Sequence, residues 1–480
     1  MKFTKIICTA GPSTSRYSTL LKIAKKGMDV VRINMSHGSH DVHLQIIQST
    51  RKVSEKLVKY IGIIMDLQGP KIRIGNLAGE RVILREGERL TLTSRQVSGN
   101  TQEISIDYPL LPREVRTGER ILVDDGNIEL KVVGTDTDNI YCRIINGGEL
   151  KSHKGVNLPH TRITASSITS KDMQDLEFGI EQGVDFFALS FVREAREVEE
   201  LKQMIQNRGA NIPVIAKIEK PEAIKNIDHI IRAADGIMVA RGDLGAETSP
   251  QDVPIFQKMI IKKCNQEGKP VITATQMLES MMEHPRPTRA EANDVANAIF
   301  DGTDAVMLSG ETAVGKYPLQ AVQVMADIAN RTEKEVLKAS AGKAAAWQEC
   351  PDTGSDAESV CYAACKMTST MKAKLIVAFT LSGRTAFLAS RFRPSVPIIA
   401  MSPDVQVLRT LSLYWGVHAV YVDRVDTAEK LLSMAEKILT GKKLCREGDV
   451  VIVVGGVPVL AGEPANMLKV HRVSLEEENI

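Results

Sequence analysis

Residues 214–247 read VIAKIEKPEAIKNIDHIIRAADGIMVARGDLGAE. Two short apolar runs, 214–216 and 236–240, bracket a segment whose isoleucines, Ile224, Ile227, Ile230 and Ile231, fall at helical spacing. That is a strand–helix–strand unit. Lys217 and Glu219 stand at the end of the first run, two apart and therefore on one face of an extended chain. Arg241 and Asp243 stand just past the second. Parallel strands open their ends on one side, so an ammonium and two carboxylates meet at one rim. Two carboxylates suit an oxygen-seeking cation such as Mg²⁺, and a lysine beside it suits an anion that gains charge as it reacts. For one isolated unit the ordinary reading, solvated charges at loop ends, would carry more weight. The rest of the chain reverses that weighting.

Short apolar runs recur at residues 6–8, 30–33, 61–65, 186–189, 214–216, 237–240, 271–274 and 305–308, and most are followed by a helical pattern, as at 20–28, 176–182, 256–266 and 318–329. Eight strands alternating with helices predict a (β/α)₈ barrel. One interval breaks the rhythm. Between the third and fourth runs, RVILREGERLTLTS (81–94), ERILVDDGNIELKVVG (119–134) and NIYCRII (139–145) alternate with period two around Gly and Asp turns. These are antiparallel strands. Residues 70–166 read as a small β domain inserted in a βα loop, where a lid over the barrel mouth is the functional expectation. The stretch 341–356 reads as a connection. KLIVAFTL (374–381), VPIIAMS (396–402), HAVYV (418–422) and GDVVIVVGG (448–456) then predict an open α/β domain. The expected partition is barrel over 1–69 and 167–338, insert over 70–166, and C-terminal domain over 339–480.

Composition narrows the function classes. The 480 residues are 25% charged with a formal net charge of +2, which gives no reason to expect nucleic acid or a membrane surface. Cys8, Cys142, Cys264, Cys350, Cys361, Cys365 and Cys445 are scattered and include no C-x-x-C. That pattern fits reduced thiols in a cytoplasm rather than a disulfide framework or a zinc site. The opening KFTKIICTA reads as a strand and not as a targeting signal, and no apolar run has spanning length.

In a barrel the chemistry sits at the C-terminal strand ends. Those ends carry Arg32, Asn34 and Ser36, then Asp66, Ser190 and Arg193, Lys217 and Glu219, Arg241 and Asp243, Thr275, and Ser309 and Glu311. Basic groups, hydroxyls and carboxylates repeated around one rim describe a phosphate–metal site. Three other motifs carry less. GETAVGKY (310–317) has Tyr317 where a P-loop needs Ser or Thr. VVGGVPVLAG (453–462) lacks the G-x-G-x-x-G spacing. His37 and His40 have no transition-metal spacing.

RINMSHG (32–38), MDLQGPKIR (65–73), HKGVNLP (153–159), IAKIEK (215–220), ARGDLG (240–245), TATQMLESMMEHPRPTRAEANDVANAIFDGTDAVMLSGETA (273–313) and SGRTAFLASRFRP (382–394) closely resemble the pyruvate kinase family, in order and over nearly the whole chain. The resemblance implies a TIM barrel with an inserted small β-barrel lid and a C-terminal regulatory α/β domain. It implies phosphoryl transfer from phosphoenolpyruvate to ADP, giving pyruvate and ATP, in a cytoplasmic homotetramer. By motif it implies Glu219 and Asp243 as Mg²⁺ ligands, with Mn²⁺ as a substitute. Lys217 is implied as the cation stabilising the transferring phosphoryl group and the enolate, and Arg32 as a substrate-phosphate ligand. Gly242 is implied as a close backbone approach to substrate, and Thr275 as a contact near the site of protonation. Arg73 and Lys154, grouped with Asn34, Ser36 and His37, are implied as nucleotide contacts, with Lys171 a further candidate. Asn34, Ser36, Asp66 and the backbone at Leu67 match a monovalent-cation corner. Here, however, Leu67, Gln68 and Lys71 stand where potassium-dependent members carry Thr, Lys and Glu. A lysine ammonium is a compact charge on a flexible stem, so K⁺ is expected to be dispensable if Lys71 reaches the Asp66 corner. The loop Thr380, Ser382, Gly383, Arg384 and Thr385 is expected to cradle the phosphate of a phosphorylated-metabolite effector. Two other classes are weighed. An enolate-forming lyase or aldolase would not need Arg73 and Lys154, and a silent binding protein would be expected to have lost Lys217 or a metal ligand.

Overall fold

The computed structural model describes residues 1–124, 126–159, 161, 163–164, 166–342, 354–425, 427–459 and 462–474. The eight runs form one closed parallel barrel: Lys5–Thr9, Val30–Asn34, Gly62–Asp66, Phe186–Leu189, Val214–Ile218, Gly236–Ala240, Val271–Ala274 and Ala305–Leu308. Its spatial order follows chain order all the way round, and the first strand closes on the last with Lys5 opposite Ala305. Nearly every barrel-strand residue is buried. Covered on both faces, such strands read as continuous apolar runs rather than alternating ones.

The chain forms two compact units: Met1–Met65 with Gly179–Phe187 and Ile261–Ile480, and Asp66–Phe178 with Ala188–Ile260. In the second unit the fifth and sixth barrel strands pair with Ile215 opposite Gly236. The helix expected between them is broken into Pro221–Lys225 and Ile227–Ala233. Asn226 makes the break: it leaves the helical conformation, and its side-chain amide donates to the Arg193 carbonyl at 2.9 Å. Such side-chain bonds to non-helical backbone are why Asn interrupts helices. The sixth strand passes directly into the short helix Arg241–Glu247.

The interval 70–166 is β-rich as expected. A six-stranded sheet runs in the order Val156–Asn157, Arg120–Val123, Ile128–Thr135, Asn139–Asn146, Arg89–Thr93, Glu103–Ser105, and Arg81–Leu84 pairs separately with Gly148–Lys151. Segment 72–75 joins the two ends of this ladder, with Arg73 bridged to Gly155 on one side and Ile74 to Ile106 on the other, which closes the insert as the small β-barrel that was expected. Ile128, Leu130, Val132, Ile140, Cys142 and Ile144 alternate inward to form its core.

In the first unit the C-terminal sheet has the order Val417–Tyr421, Ile398–Ser402, Ile376–Phe379, Val450–Gly455, Met467–Arg472. The last strand runs antiparallel to its neighbour. It was not anticipated, because a half-exposed edge strand lacks the apolar run that marked the other four. Most of the expected connection, residues 343–353, lies outside the described residues. The expected boundary at 339 falls inside the helix Pro318–Gly342.

Candidate active site

The second unit gathers one dense charge cluster. Lys217, near the end of the fifth strand and buried, sends its ammonium 2.9 Å from Glu219 Oε1 and 3.2 Å from Asp66 Oδ1, and donates to Ser190 Oγ at 2.7 Å. Ser190 in turn donates to the Leu67 carbonyl at 2.7 Å. Glu219 is 1% exposed, and its Oε2 accepts the backbone N–H of Phe191 at 2.7 Å. Burial pushes the Glu219 carboxyl up, Lys217 pulls it down, and nearby Asp243 pushes it up again. A buried carboxylate with a second one beside it calls for positive charge nearby.

Asp243 sits in the first turn of Arg241–Glu247, and Lys71 Nζ lies 3.2 Å from its Oδ1. The expectation that Lys71 supplies the charge at the Asp66 corner is therefore corrected: Lys217 holds Asp66, and Lys71 reaches Asp243. The path of the chain explains this. After Gly69, whose φ of 65° makes a turn, the Lys71 stem crosses Gly155, where an added Cβ would come within 3.0 Å of Lys71 Cε. Gly242 follows the buried Arg241, whose Nη1 lies 3.3 Å from Gln257 Oε1.

The expected nucleotide contacts of this unit are held by the insert. Lys154 Nζ pairs with Asp124 Oδ1 at 2.6 Å, and Arg73 Nη1 donates to the His153 carbonyl at 3.0 Å. Lys171 pairs with Asp175 one turn along its own helix at 2.6 Å. In the first unit, Arg32 is buried and its Nη1 donates to Thr9 Oγ1 at 3.1 Å. The Asn34 side chain accepts the Ser36 N–H at 3.1 Å, and the Asn34 carbonyl accepts the His37 N–H at 3.4 Å. Thr275 has φ 66°, an outlier for a β-branched residue, of the kind that collects at functional sites. The Glu311 carboxylate accepts the N–H groups of Leu278 at 3.0 Å and Ser309 at 2.7 Å.

Residue reasoning missed a third carboxylate junction. Glu247 Oε1 lies 2.8 Å from Lys220 Nζ and accepts from Asn157 Nδ2 at 2.9 Å and Leu158 N at 3.4 Å. The only signal was the Lys immediately after Glu219. In the C-terminal domain, a solvent-open pocket of about 240 Å³ is lined by Thr380, Ser382, Arg384, Thr385 and Arg424. Thr380 Oγ1 accepts the Gly383 N–H at 2.8 Å, so that amide serves the loop itself rather than standing free as expected.

No set of three or more His, Cys, Asp or Glu with metal-holding geometry occurs among the described residues. The oxygen-only pair Glu219 and Asp243 nonetheless fits a hard divalent ion, which is held by one or two carboxylates and completes its shell with water and substrate oxygens.

The family model of the pyruvate kinase barrel domain matches residues 1–322, and that of the pyruvate kinase alpha/beta domain matches residues 358–471. A pyruvate kinase from Geobacillus stearothermophilus is 44% identical over 476 residues, 98% of this chain and 80% of that protein. A pyruvate kinase from Clostridium acetobutylicum is 41% identical over 475 residues, 98% of this chain and all of that protein. The crystal structure of a pyruvate kinase from Cryptosporidium parvum superposes with a TM-score of 0.90 at 38% identity, covering 98% of this chain and 96% of that one.

Proposed function

This chain belongs to the pyruvate kinase family and is a phosphotransferase, and from that premise we propose how its own residues carry the transfer from phosphoenolpyruvate to ADP that closes glycolysis. The observation that carries the reading is Lys217, buried between Asp66 and Glu219 with Ser190 beneath it. A charge fixed there needs no reorganisation when the phosphoryl group loosens and the enolate oxygen is unmasked. Arg32 holds the substrate phosphate, Gly242 lets the backbone approach the carboxylate, and Thr275 lies where the enolate carbon takes its proton. Arg73, Lys154, Asn34, Ser36 and His37 orient the nucleotide. Glu219 and Asp243 hold Mg²⁺, or Mn²⁺ in its place. The ion supplies charge neutralisation at the transferring phosphate. The functional partition is the barrel 1–69 and 167–338, the lid 70–166 and the regulatory domain 339–480.

Potassium is dispensable in this reading. Although the ammonium of Lys71 meets Asp243 and not Asp66, it still adds a fixed positive charge to the same cluster of strand-end acids, and the Leu67 carbonyl that would ligate the ion already accepts from Ser190. The pocket at Thr380, Ser382, Gly383, Arg384 and Thr385 receives a phosphorylated metabolite that activates the enzyme. It follows the central strand Ile376–Phe379, beyond which the order of the parallel strands reverses, the place where open α/β sheets bind ligands. The enzyme works as a homotetramer in the cytoplasm; the buried, unpaired thiols of the six described cysteines agree with a reducing compartment. No helix among the described residues is long and apolar enough to cross a membrane.

Coupled detection of pyruvate tests the reading. Release from phosphoenolpyruvate only when ADP and a divalent ion are both present is the expected result. Release without ADP, the phosphoryl group passing to water, would overturn transfer to ADP, and no release at all would favour the lyase or the silent binding protein.

A further inference from the structure

The insert leaves the barrel through residues 70–74 and returns through 153–158. The two crossings are zipped together: Ile74 N donates to the Lys154 carbonyl at 3.0 Å and Val156 N to the Ile72 carbonyl at 2.9 Å. Each crossing also grips the helix Arg241–Glu247. The outgoing one does so through Lys71 on Asp243, the returning one through Asn157 and Leu158 on Glu247. A seven-residue helix held at its first turn and at its last residue by one β domain cannot stay still when that domain moves.

The grip at Glu247 is a built joint. Glu247 and Asn157 are each 2% exposed and Lys220 is 7% exposed. Glu247 Oε1 serves three donors, one from Lys220 beside Glu219 and two from the returning crossing. Glu247 Oε2, Asn157 Oδ1 and Glu222 Oε2 have no hydrogen-bond partner among the described residues. Those three residues line a single cavity with Lys71, Phe191 and Lys220. Buried acceptors are normally satisfied, and a joint whose second acceptors face a cavity has somewhere to turn.

We propose that Glu247 is a positioning residue: it couples the returning crossing of the insert to the helix that presents Gly242 and Asp243, so that lid position and metal affinity change together. By linkage the coupling is reciprocal, and metal and substrate order the returning crossing as much as that crossing orders Asp243. The proposal rests on Asp243 as a metal ligand.

The test uses the full-length enzyme and Mn²⁺ binding in the resting state, read from the electron paramagnetic resonance of free Mn²⁺, with steady-state kinetics and amide exchange alongside. Asn157→Ala removes the shorter of the two insert contacts and leaves the Lys220 ion pair in place. It is expected to weaken Mn²⁺ binding about tenfold, ~1.4 kcal/mol, and to raise the half-saturating metal concentration equally, with kcat at saturation changing less than threefold. In the wild type, Mn²⁺ with oxalate should slow exchange at residues 156–158; in Asn157→Ala that protection should be lost. The pair Lys220→Met with Glu247→Gln removes the ion pair without stranding a charge and should repeat the phenotype. Adding Asn157→Ala to it should cost less than the single changes predict by addition, as expected for partners in one contact. Wild-type Mn²⁺ affinity in Asn157→Ala, or strict additivity, overturns the proposal. Glu219→Gln and Asp243→Asn separate the two levels. If both lose Mn²⁺ while the joint variants keep it, only the coupling falls. If both retain Mn²⁺, the metal assignment falls and takes the coupling with it.

Discussion

Lys217→Ala puts the mechanism at risk most directly. The ammonium lies 2.9 Å from Glu219 and 3.2 Å from Asp66. With an effective dielectric near 20, each contact is worth about 5 kcal/mol of gross Coulomb attraction. Most of that is offset by desolvation, and removing one partner of such a buried set typically costs about 3–5 kcal/mol of stability. Glu219, already pushed up by burial and by Asp243, loses the opposing pull of Lys217 and is pushed up further, which absorbs part of that cost. Catalysis has no such relief. Loss of a preorganised charge aimed at the transition state costs roughly 10²–10³ in turnover per donor. On the proposed reading Lys217 faces both the phosphoryl group and the enolate, so a fall of about 10³ or more is expected. Divalent binding should be largely kept, because both proposed carboxylate ligands remain in place; Glu219→Ala should instead weaken metal and substrate binding together. The assays are pyruvate formation coupled to a dehydrogenase, and thermal melting with a chelator or with excess Mg²⁺. Turnover above a tenth of wild type in Lys217→Ala would refute the assignment.

Three further outcomes follow from other parts of the molecule. With K⁺ replaced by a tetraalkylammonium ion at constant ionic strength, activity should hold; a large loss would sink potassium independence, and Lys71→Glu should lower activity without K⁺. A panel of sugar phosphates and nucleotides should contain an activator that abolishes sigmoidal substrate dependence, and Arg384→Ala should raise its half-activating concentration about tenfold, an effect on the order of 1.4 kcal/mol; identical kinetics across the panel would count against a regulated enzyme. Burial, and then the nearby Lys5, push the His418 imidazole down to about 3. The folded state therefore refuses a proton that the unfolded chain takes near pH 6.5, and the stability from the neutral ring is complete above that pH and lost as pH falls toward 3. By linkage about 2 kcal/mol is lost by pH 5, and His418→Leu should flatten the fall of the urea midpoint between pH 7 and pH 5.

Residues 214–247 show how far local information reaches. Their runs became two adjacent barrel strands, and the pairing of Lys217 with Glu219 follows from period two alone. The break at Asn226 was not legible, because it depends on the carbonyl of Arg193, 33 residues earlier. Lys71 is the clearer case. Its charge was visible, but two carboxylates stood within reach of a four-carbon stem, and the crossing of Gly155 chose Asp243 over Asp66.

Barrel rhythm, the inserted β domain and the identities of the strand-end charges were determined by sequence alone. They rest on periodicity and on residue type, which each short segment carries in itself. Tertiary structure alone decided which acid each base meets, that residues 72–75 bridge the two edges of the insert's ladder, and that Glu247 joins the returning crossing to the helix of Asp243. Those depend on contacts between residues about 30 to 170 positions apart, and no local pattern encodes a partner that only the folded backbone brings within 3 Å.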